Sequence, residues 1–533
     1  MLTKEQLEAS FSGDIEKVNL TFLYKIALFL ISFTMILLPL IYFGIVFFAG
    51  WGVIFFAKDP FNVIESDIGF LALFVQYAGP VIISVVILIF MIKPFFVRLI
   101  KPVEGIIVKK DKEPLLFEFI EIICKKVNAP IPKQVLLNAD ANAAAGFKPG
   151  MMGFLTGDLR LIIGLPLVAT MSVSQLGGIL AHEFGHFSQG AGMRLSFVVR
   201  VISNWFSRVV FERDRWDEKL ESWSTNTHIA LALILGLARI GVWLSRKVLF
   251  VLMMIGNLVS TVMLRQMEFD ADRYEIRFGG SRQFVKTTKK LKLISINWAI
   301  MYQGVFESWS NKKLSNDIPM YLAHKVSNPN EQLASHIEKE IEETKTGFFD
   351  THPSDKERIE NAKKENSPGI FNLDVPALQL FRNFERYSLK TSVLFYKNLM
   401  NDDYKDEYLV DLNEFLENDK TIEQNDKALL ELFKGAISVH FPINFSKQPE
   451  LEPRPDPEKE IEEITDFLEK NSDNIIKIID SKYNLVDDRL LWKSAELIVS
   501  KGSKVNPKEF KLESGKMKEI DAVLQELQKR KWN

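Results

Sequence analysis

The sequence predicts a mostly helical protein with an apolar N-terminal anchor, an α+β central domain and a helical C-terminal extension. Three observations support this architecture. Two long stretches near the N-terminus contain no charged residue, and a cluster of His and Glu residues follows on an apolar, helical pattern. The last part of the chain is rich in charge and has amphipathic helical patterning without a long apolar run.

The two uncharged stretches are residues 26–57 and 68–92. Each exceeds the roughly 20 residues that cross a bilayer as a helix. The loop between them is acidic on balance, whereas several Lys and Arg residues follow the second stretch. Because basic residues accumulate on the cytoplasmic side of membrane proteins, both ends of this hairpin are expected in the cytoplasm. Residues 1–102 are therefore predicted to be an anchor with two transmembrane helices in the cell (inner) membrane, and the lipid bilayer is an expected partner.

Composition limits the compartment and the partners. The single cysteine, Cys124, cannot form an intramolecular disulfide, which agrees with a domain that faces the cytoplasm. It lies in the helical pattern of residues 114–127, where it is most simply a small core residue. The net charge is −2, and the chain has no internal repeat, no phosphate-binding glycine loop and no nucleic-acid motif. Nucleic acid is not an expected partner.

The most specific motif is His182-Glu183-Phe184-Gly185-His186. Positions four apart share a helix face, so both imidazoles can bind one ion. Zinc accepts imidazole nitrogen, and Glu183 is placed to act as base on a zinc-bound water. The same pattern also occurs by chance on solvated helices, but here the flanking residues are apolar and indicate a buried helix, where unpaired His and Glu side chains are costly. Ser172 and Gln175 form a capping-box pattern that predicts the start of this helix.

A third ligand is expected from a second acidic element. Glu268 and Asp272 are four residues apart, so they project from one side of a helix. Glu268 is predicted to complete the ligand set, while Asp272 accepts a hydrogen bond from a ligating histidine and fixes its tautomer. The alternative is a solvated acidic helix end. The almost wholly apolar run of residues 248–264 before this pair favours the metal site.

Taken in order, these motifs resemble the membrane zinc metalloproteases related to HtpX and to the CAAX prenyl proteases. The resemblance covers residues 103 to about 362. Its elements are the His-Glu-x-x-His turn, the Glu268-x-x-Ala271-Asp272 element, a strand and capped helix from residue 161, Asn142-Ala143-Ala144-Ala145 as the edge strand, and Thr351-His352-Pro353 followed by Arg358.

The resemblance implies a zincin-like (gluzincin) metalloprotease domain over residues 103–365, with one Zn²⁺ per chain and Glu183 as general base. It implies that His352 stabilises the oxyanion and that Arg358 orients or assists it. Asn142, Ala143 and Ala145 would align a protein or peptide substrate as an added strand, although Asn138 or Asp140 could equally be turn formers in the same stretch. The expected substrates are membrane proteins or misfolded proteins at the cytoplasmic face.

A hydrophobic, membrane-associated insertion is predicted at about residues 190–264. The stretch 229–238 is apolar, Arg239 interrupts it, and Arg246-Lys247 precedes the apolar residues 248–264. The chain here either crosses the membrane twice, with the basic pair at the outer tip, or forms a hairpin in or on the membrane. Residues 193–213 form a basic amphipathic pattern that predicts a helix on the membrane surface or one packed on the domain.

The remainder divides into a helical region at residues 366–441, a Pro-rich linker at 442–457 and a charged helical region at 458–533. Nothing in it identifies a partner. Two alternative functions stay open: a CAAX-type prenyl-protein protease, and a membrane-anchored adaptor or regulatory protein with a vestigial zinc site. The intact base Glu183 argues against the adaptor.

Overall fold

The structure is a computed structural model of a mostly helical chain with a few short strands, as predicted. It describes residues 2–18, 21–58, 79–97, 103–148, 156–188, 191–212, 229–329, 331–347, 350–432, 457–500, 505–508, 510–514 and 516–529. The chain divides into two compact units, residues 1–412 and 413–533. The predicted Pro-rich linker and the loop between the first two apolar stretches lie outside the described residues.

The helices and strands follow one another in this order: α1 (Lys4–Ala9), α2 (Phe22–Lys58), α3 (Gly79–Ile92), β1 (Ile106–Val108), α4 (Pro114–Val127), β2 (Gln134–Asn138), β3 (Ala143–Phe147), β4 (Leu159–Gly164), α5 (Leu165–Thr170), α6 (Val173–Gly185), α7 (Ala191–Phe211), α8 (Ile229–Gly279), α9 (Ser281–Ser310), β5 (Leu314–Ser315), α10 (Ile318–Ser327), α11 (Glu331–Glu343), α12 (Asp355–Glu365), α13 (Phe384–Met400), β6 (Leu409–Val410), α14 (Leu412–Leu432), α15 (Pro457–Ser500) and α16 (Met517–Lys529). Helix α4 has the predicted limits, and Cys124 is buried in it, as predicted.

A four-stranded sheet in the order β1-β2-β4-β3 forms one layer of the central domain. Strand β4 pairs parallel with β2 and antiparallel with β3, so β3 is an edge strand, as the resemblance implies. Asn142 accepts from the Gly164 amide and the Lys148 amide donates to Asp158, so these residues face β4. Because orientation alternates along a strand, the main-chain groups of Ala143, Ala145 and Phe147 face away from β4.

Helix α6 packs against β3, helix α4 and the C-terminal part of α8 pack against α6, and all of them form the main core with the sheet. The close approach of α6 and α8 depends on glycine. A Cβ atom on Gly185 would lie 2.8 Å from the ring of Tyr274 on α8. The segment after α12 also belongs to this core, because Phe371, Ala377 and Leu380 are buried in it. The His-Glu-x-x-His turn and Glu268 therefore lie on elements that share one core.

A second cluster is a bundle of apolar helices formed by α2, α3, α7 and the N-terminal part of α8. One polar contact joins three of these helices. The Tyr42 hydroxyl lies 2.6 Å from Ser245 Oγ and donates to the Met91 carbonyl at 2.9 Å. The outer faces of the bundle carry exposed large side chains, including Phe48, Phe55 and Val262.

The prediction of a turn at Arg246 and Lys247 is wrong, because α8 is one continuous helix from Ile229 to Gly279. Lys and Arg are good helix formers, and neither Pro nor Gly stands at this point to interrupt the hydrogen bonding. Lys247 lies over the rings of Trp243 and Phe250, at 5.7 and 5.8 Å. The charge of Lys247 is therefore stabilised by cation–π contacts with two aromatic rings of the same helix.

Helix α7 corresponds to the basic amphipathic stretch. It packs mainly in the apolar bundle rather than on the central domain, and its predicted placement at a membrane surface stays a prediction. It lies against α2 and α8, with Val199, Trp205 and Phe206 buried between them. The Trp205 indole donates to the Pro94 carbonyl at 3.2 Å. The helix begins close after His186 and therefore leads from the His-Glu-x-x-His turn into the apolar bundle.

The segment that precedes α2 packs on the central domain. Leu7 and Val18 are buried in the main core, and the Val18 amide donates to the Tyr274 hydroxyl. Arg277 donates to the Glu16 carbonyl at 2.7 Å, and the Ser12 amide donates to the Ile370 carbonyl at 2.7 Å. The beginning of the chain and the central domain are therefore parts of one packed body.

The second unit contains most of α14 together with α15 and α16. Its described core is small and consists of Ala495, Ile520 and Leu524, with a hydrogen bond from the Trp492 indole to the Phe510 carbonyl. The charged helical character predicted for residues 458–533 agrees with the described helices.

Candidate metal centre

Helix α6 carries the two histidines. Its start is the predicted capping box, in which the Ser172 hydroxyl accepts from the Gln175 amide and the Gln175 side chain accepts from the Ser172 amide. The helix is buried along most of its length and ends at Gly185, where His186 keeps helical dihedral angles at the cap. Both imidazoles therefore project from the same face toward α8, and their ring centres lie 4.9 Å apart.

Glu268 on α8 lies between the two histidines. Its carboxylate oxygens are 3.6 Å from Nε2 of His182 and 3.6 Å from Nε2 of His186. One donor atom from each of the three residues lies within 4.8 Å of the others, and their side chains are mostly buried. The structure thus brings together the three residues that the sequence predicts as ligands.

These residues fit a zinc ion. Zinc bonds of about 2.1 Å in tetrahedral geometry place donor atoms about 3.4 Å apart. Nε2 of His182 lies 3.6 Å from Oε2 of Glu268 and Nε2 of His186 lies 3.6 Å from Oε1, so a small adjustment of the carboxylate brings one oxygen to this spacing. Two imidazoles and one carboxylate are a donor set that zinc uses in catalytic sites. A second group of His182, Asp272 and Glu275 also has metal-ligand spacing, but it shares His182 with the first.

Asp272 and Arg358 support His182 from behind. Asp272 is fully buried, and its Oδ1 lies 3.0 Å from Nδ1 of His182, although the contact is poorly aligned with the ring N–H. Arg358 on α12 binds both oxygens of Asp272, at 2.6 and 2.9 Å. Arg358 therefore contacts the carboxylate that holds the ligand, rather than His352 as the resemblance implies. Asp272 thus lies beside His182 as expected, and its role as acceptor for a ligating histidine stays a prediction.

Glu183 lies next to the edge strand. Its Oε2 accepts a hydrogen bond from the outward-facing amide of Ala145 at 3.1 Å. The side chain of Ala143 is buried, whereas Asn142 is exposed at the beginning of β3. The free edge of β3 and the carboxylate of Glu183 thus face the same space. The substrate-binding roles of Asn142, Ala143 and Ala145 stay predictions.

His352 reaches the centre from the loop between α11 and α12. Its Nδ1 lies 3.2 Å from Oε2 of Glu268, and its side chain is 70% exposed. The ring therefore borders the open side of the centre, where a substrate carbonyl could approach. Its role toward an oxyanion stays a prediction.

Two further residues of the centre were not predicted. Arg200 of α7 donates to Oε1 of Glu268 at 2.8 Å and lies 3.1 and 3.2 Å from the two ring nitrogens of His186. The guanidinium nitrogen of Arg200 is almost equidistant from both ring nitrogens and therefore lies over the ring face, so the in-plane lone pair of His186 stays available.

Glu275 is buried, and its Oε2 lies 3.9 Å from Nδ1 of His182. It stands three residues after Asp272 and thus on the same helix face, which is the sequence signal that could have predicted it.

The electrostatics of the two histidines differ. Burial lowers the pKa of His182, but the carboxylates of Asp272 and Glu268 outweigh this and raise it to about 10. Burial and the guanidinium of Arg200 lower the pKa of His186 well below its usual value. Burial also raises the pKa of Glu183 above its usual value. Because a metal ligand must be deprotonated, a divalent cation here would displace a proton from His182.

Two imidazoles, a ligating carboxylate and a separate carboxylate as base form the kind of site that metallopeptidases use. The comparison with protein families agrees. Residues 111–366 match peptidase family M48, the family of HtpX and the CAAX prenyl proteases, whose members are zinc metalloproteases. The chain therefore contains an M48 peptidase domain, and the predicted resemblance is confirmed. The searches of curated proteins and of solved structures found no match.

Proposed function

We propose that this protein is a membrane-anchored, zinc-dependent endopeptidase with a zincin-like catalytic domain. The observation that carries the proposal is the convergence of His182, His186 and Glu268 beside the free edge of β3. A zinc ion held there supplies a polarised water and a Lewis acid for the scissile carbonyl. The M48 family match supports peptide-bond hydrolysis.

Separate residues of this chain would bind the substrate, transfer the proton and stabilise the developing charge. The outward-facing main-chain groups of Ala143 and the carbonyl of Ala145 align the substrate as a strand antiparallel or parallel to β3. Glu183 takes the proton from the attacking water and passes it to the leaving amine. His352 donates to the oxygen on which negative charge develops, and Asp272 holds His182 in the orientation that a ligand needs.

Membrane anchoring is supported by the exposed apolar surface. Among the described residues, two helices are long and apolar enough to cross a bilayer, α2 and the part of α8 from Arg239 onward. Only 28% and 44% of their most apolar windows are buried, so neither resembles the core helix of a soluble protein. Glu268 lies six residues, about 9 Å of helix, after the exposed Val262. Substrates that are membrane proteins, cleaved close to the bilayer, fit this position.

The crossings would involve α7 and α8 rather than two halves of residues 229–264. Helix α7 leads away from the centre and α8 leads back to it, so together they form the hairpin that returns Glu268 to His186. Because Arg200, about halfway along the 21 residues of α7, contacts Glu268 at the metal centre, only the part of α7 after Arg200 would enter the bilayer. Because the segment before α2 packs on the catalytic domain, both are proposed to lie on the cytoplasmic side.

Cysteine labelling tests this topology. Cys124 is buried, so single cysteines introduced at the exposed positions Glu8 and Lys339 provide the accessible thiols. A membrane-impermeant maleimide should label both from the cytoplasmic face of sealed vesicles and neither from the other face. Labelling of the two positions from opposite faces would contradict the proposal.

Metal removal tests the catalytic proposal. The protein purified in detergent should contain one zinc ion per chain and cleave casein. Chelation should abolish the cleavage and lower the melting temperature, because bound metal stabilises the folded state, and added zinc should restore both. Folded protein that neither contains nor binds zinc would contradict the proposal and favour the adaptor function.

A further inference from the structure

The loop that carries His352 is held by an arginine on the metal-binding helix. Arg265 of α8 donates from Nε to the Asp350 carbonyl at 2.8 Å and from Nη2 to the Gly347 carbonyl at 2.9 Å. These carbonyls belong to a turn in which the Asp350 amide donates to Gly347 and the Gly347 amide donates to the Asp350 carboxylate. A single guanidinium thus binds both ends of the turn.

His352 needs such support because its own side chain has little. The ring is 70% exposed, and its contact with Glu268 is a single one at 3.2 Å. An exposed side chain with few packing contacts takes its position mainly from its backbone. The two ends of the loop are joined by the Thr346 hydroxyl, which accepts from the Ser354 amide and donates to Glu357. Within the loop, Arg265 binds the Asp350 carbonyl, two residues before His352.

The spacing of Arg265 and Glu268 makes this contact specific to the centre. They are three residues apart on one helix, about 4.5 Å along its axis. The residue that ligates the metal and the residue that fixes the His352 loop therefore belong to one rigid element. Movement of the loop relative to Glu268 requires that the two guanidinium contacts break.

We propose that Arg265 is a positioning residue that holds His352 in register with the metal centre. The inference rests on the proposed function, because it assigns Arg265 a part in the same reaction. The simpler interpretation is that Arg265 is a basic residue at the end of the apolar part of α8, where such residues flank a membrane-spanning segment. That interpretation predicts no coupling between Arg265 and His352.

A double-mutant cycle decides between these two interpretations. Arg265→Met should lower kcat for peptide cleavage about 10- to 100-fold, since a small misplacement of a catalytic group is costly. KM and zinc content should not change, and Arg265→Lys, which keeps one donor group, should lie between. In a His352→Ala background, Arg265→Met should change kcat less than about twofold, because its partner in function is already lost.

Two outcomes would overturn the inference. Additive effects of the two substitutions would show that Arg265 acts independently of His352, while the endopeptidase proposal would stand. A fully active His352→Ala variant would remove the role of His352 itself. The matched control is Arg277→Met, which also loses a contact from α8 to a main-chain carbonyl, that of Glu16, together with an ion pair to Glu365, and touches no residue of the His352 loop. It should leave kcat unchanged.

Hydrogen exchange gives a readout that does not depend on activity. In Arg265→Met the amides of residues 344–354 should exchange faster than in the wild type, whereas those of α6 should not. Unchanged exchange in the loop would contradict the proposed contact. Faster exchange throughout the domain would show that Arg265 supports the whole fold and would equally contradict a specific role.

Discussion

Glu183→Gln should lower peptide cleavage by a factor of about 10² to 10⁴, the range in which a general base contributes. The amide cannot accept the proton of the attacking water. Its carbonyl oxygen can still accept the hydrogen bond from the Ala145 amide, so the local structure should persist. Cleavage is measured with purified protein and casein, while zinc content and melting temperature are recorded on the same samples and should match the wild type.

Glu338→Gln is the control for this substitution. Glu338 is exposed and pairs with Lys289, so its replacement by Gln is the same chemical change at a site away from the metal centre. Its activity should equal that of the wild type. Equal activity of Glu183→Gln and wild type would indicate a contaminating protease or another base, and loss of zinc together with activity would assign Glu183 to metal binding.

Arg358→Met should destabilise the domain by about 3–5 kcal/mol, because it leaves the fully buried carboxylate of Asp272 without its cationic partner. The effect should also reach the metal. Asp272 orients His182, and loss of such support usually lowers metal affinity about 10- to 100-fold. Urea unfolding followed by tryptophan fluorescence measures the first effect, and competition with a chromophoric chelator measures the second.

Two comparisons make this prediction specific. Lys292→Met removes a partly exposed ion pair with Glu340 and should cost no more than about 1 kcal/mol. The pair Arg358→Met and Asp272→Asn should recover part of the stability lost in Arg358→Met, because the unpaired buried charge is removed. An Arg358→Met variant as stable as Lys292→Met would contradict a buried, structurally important ion pair.

Local patterns predicted the elements of the centre well. The Ser172–Gln175 capping box marked the start of α6, and four-residue spacing placed each pair of site residues on one face. Glu268 could be found because carboxylates on a helix that continues an apolar run are costly to bury unless a cation or metal pairs with them. These signals are local, since they depend on helix geometry and on side chains close in sequence.

Arg200 and the course of α8 could not be predicted in the same way. In the sequence, Arg200 is one of several regularly spaced basic residues on an amphipathic helix, and only tertiary packing shows which of them faces Glu268. Arg246 and Lys247 suggested a turn because charge was taken as a boundary of an apolar segment, although neither residue interrupts a helix. Arg358 was expected near His352, and only the fold shows that it binds Asp272.

Anomalous X-ray scattering at the zinc edge tests the assignment of the three metal ligands most directly. For crystals of the zinc-loaded protein, we expect a single strong peak about 2.1 Å from Nε2 of His182, from Nε2 of His186 and from a carboxylate oxygen of Glu268. A peak on the alternative group of His182, Asp272 and Glu275, or no peak among these residues in zinc-loaded crystals, would contradict that assignment.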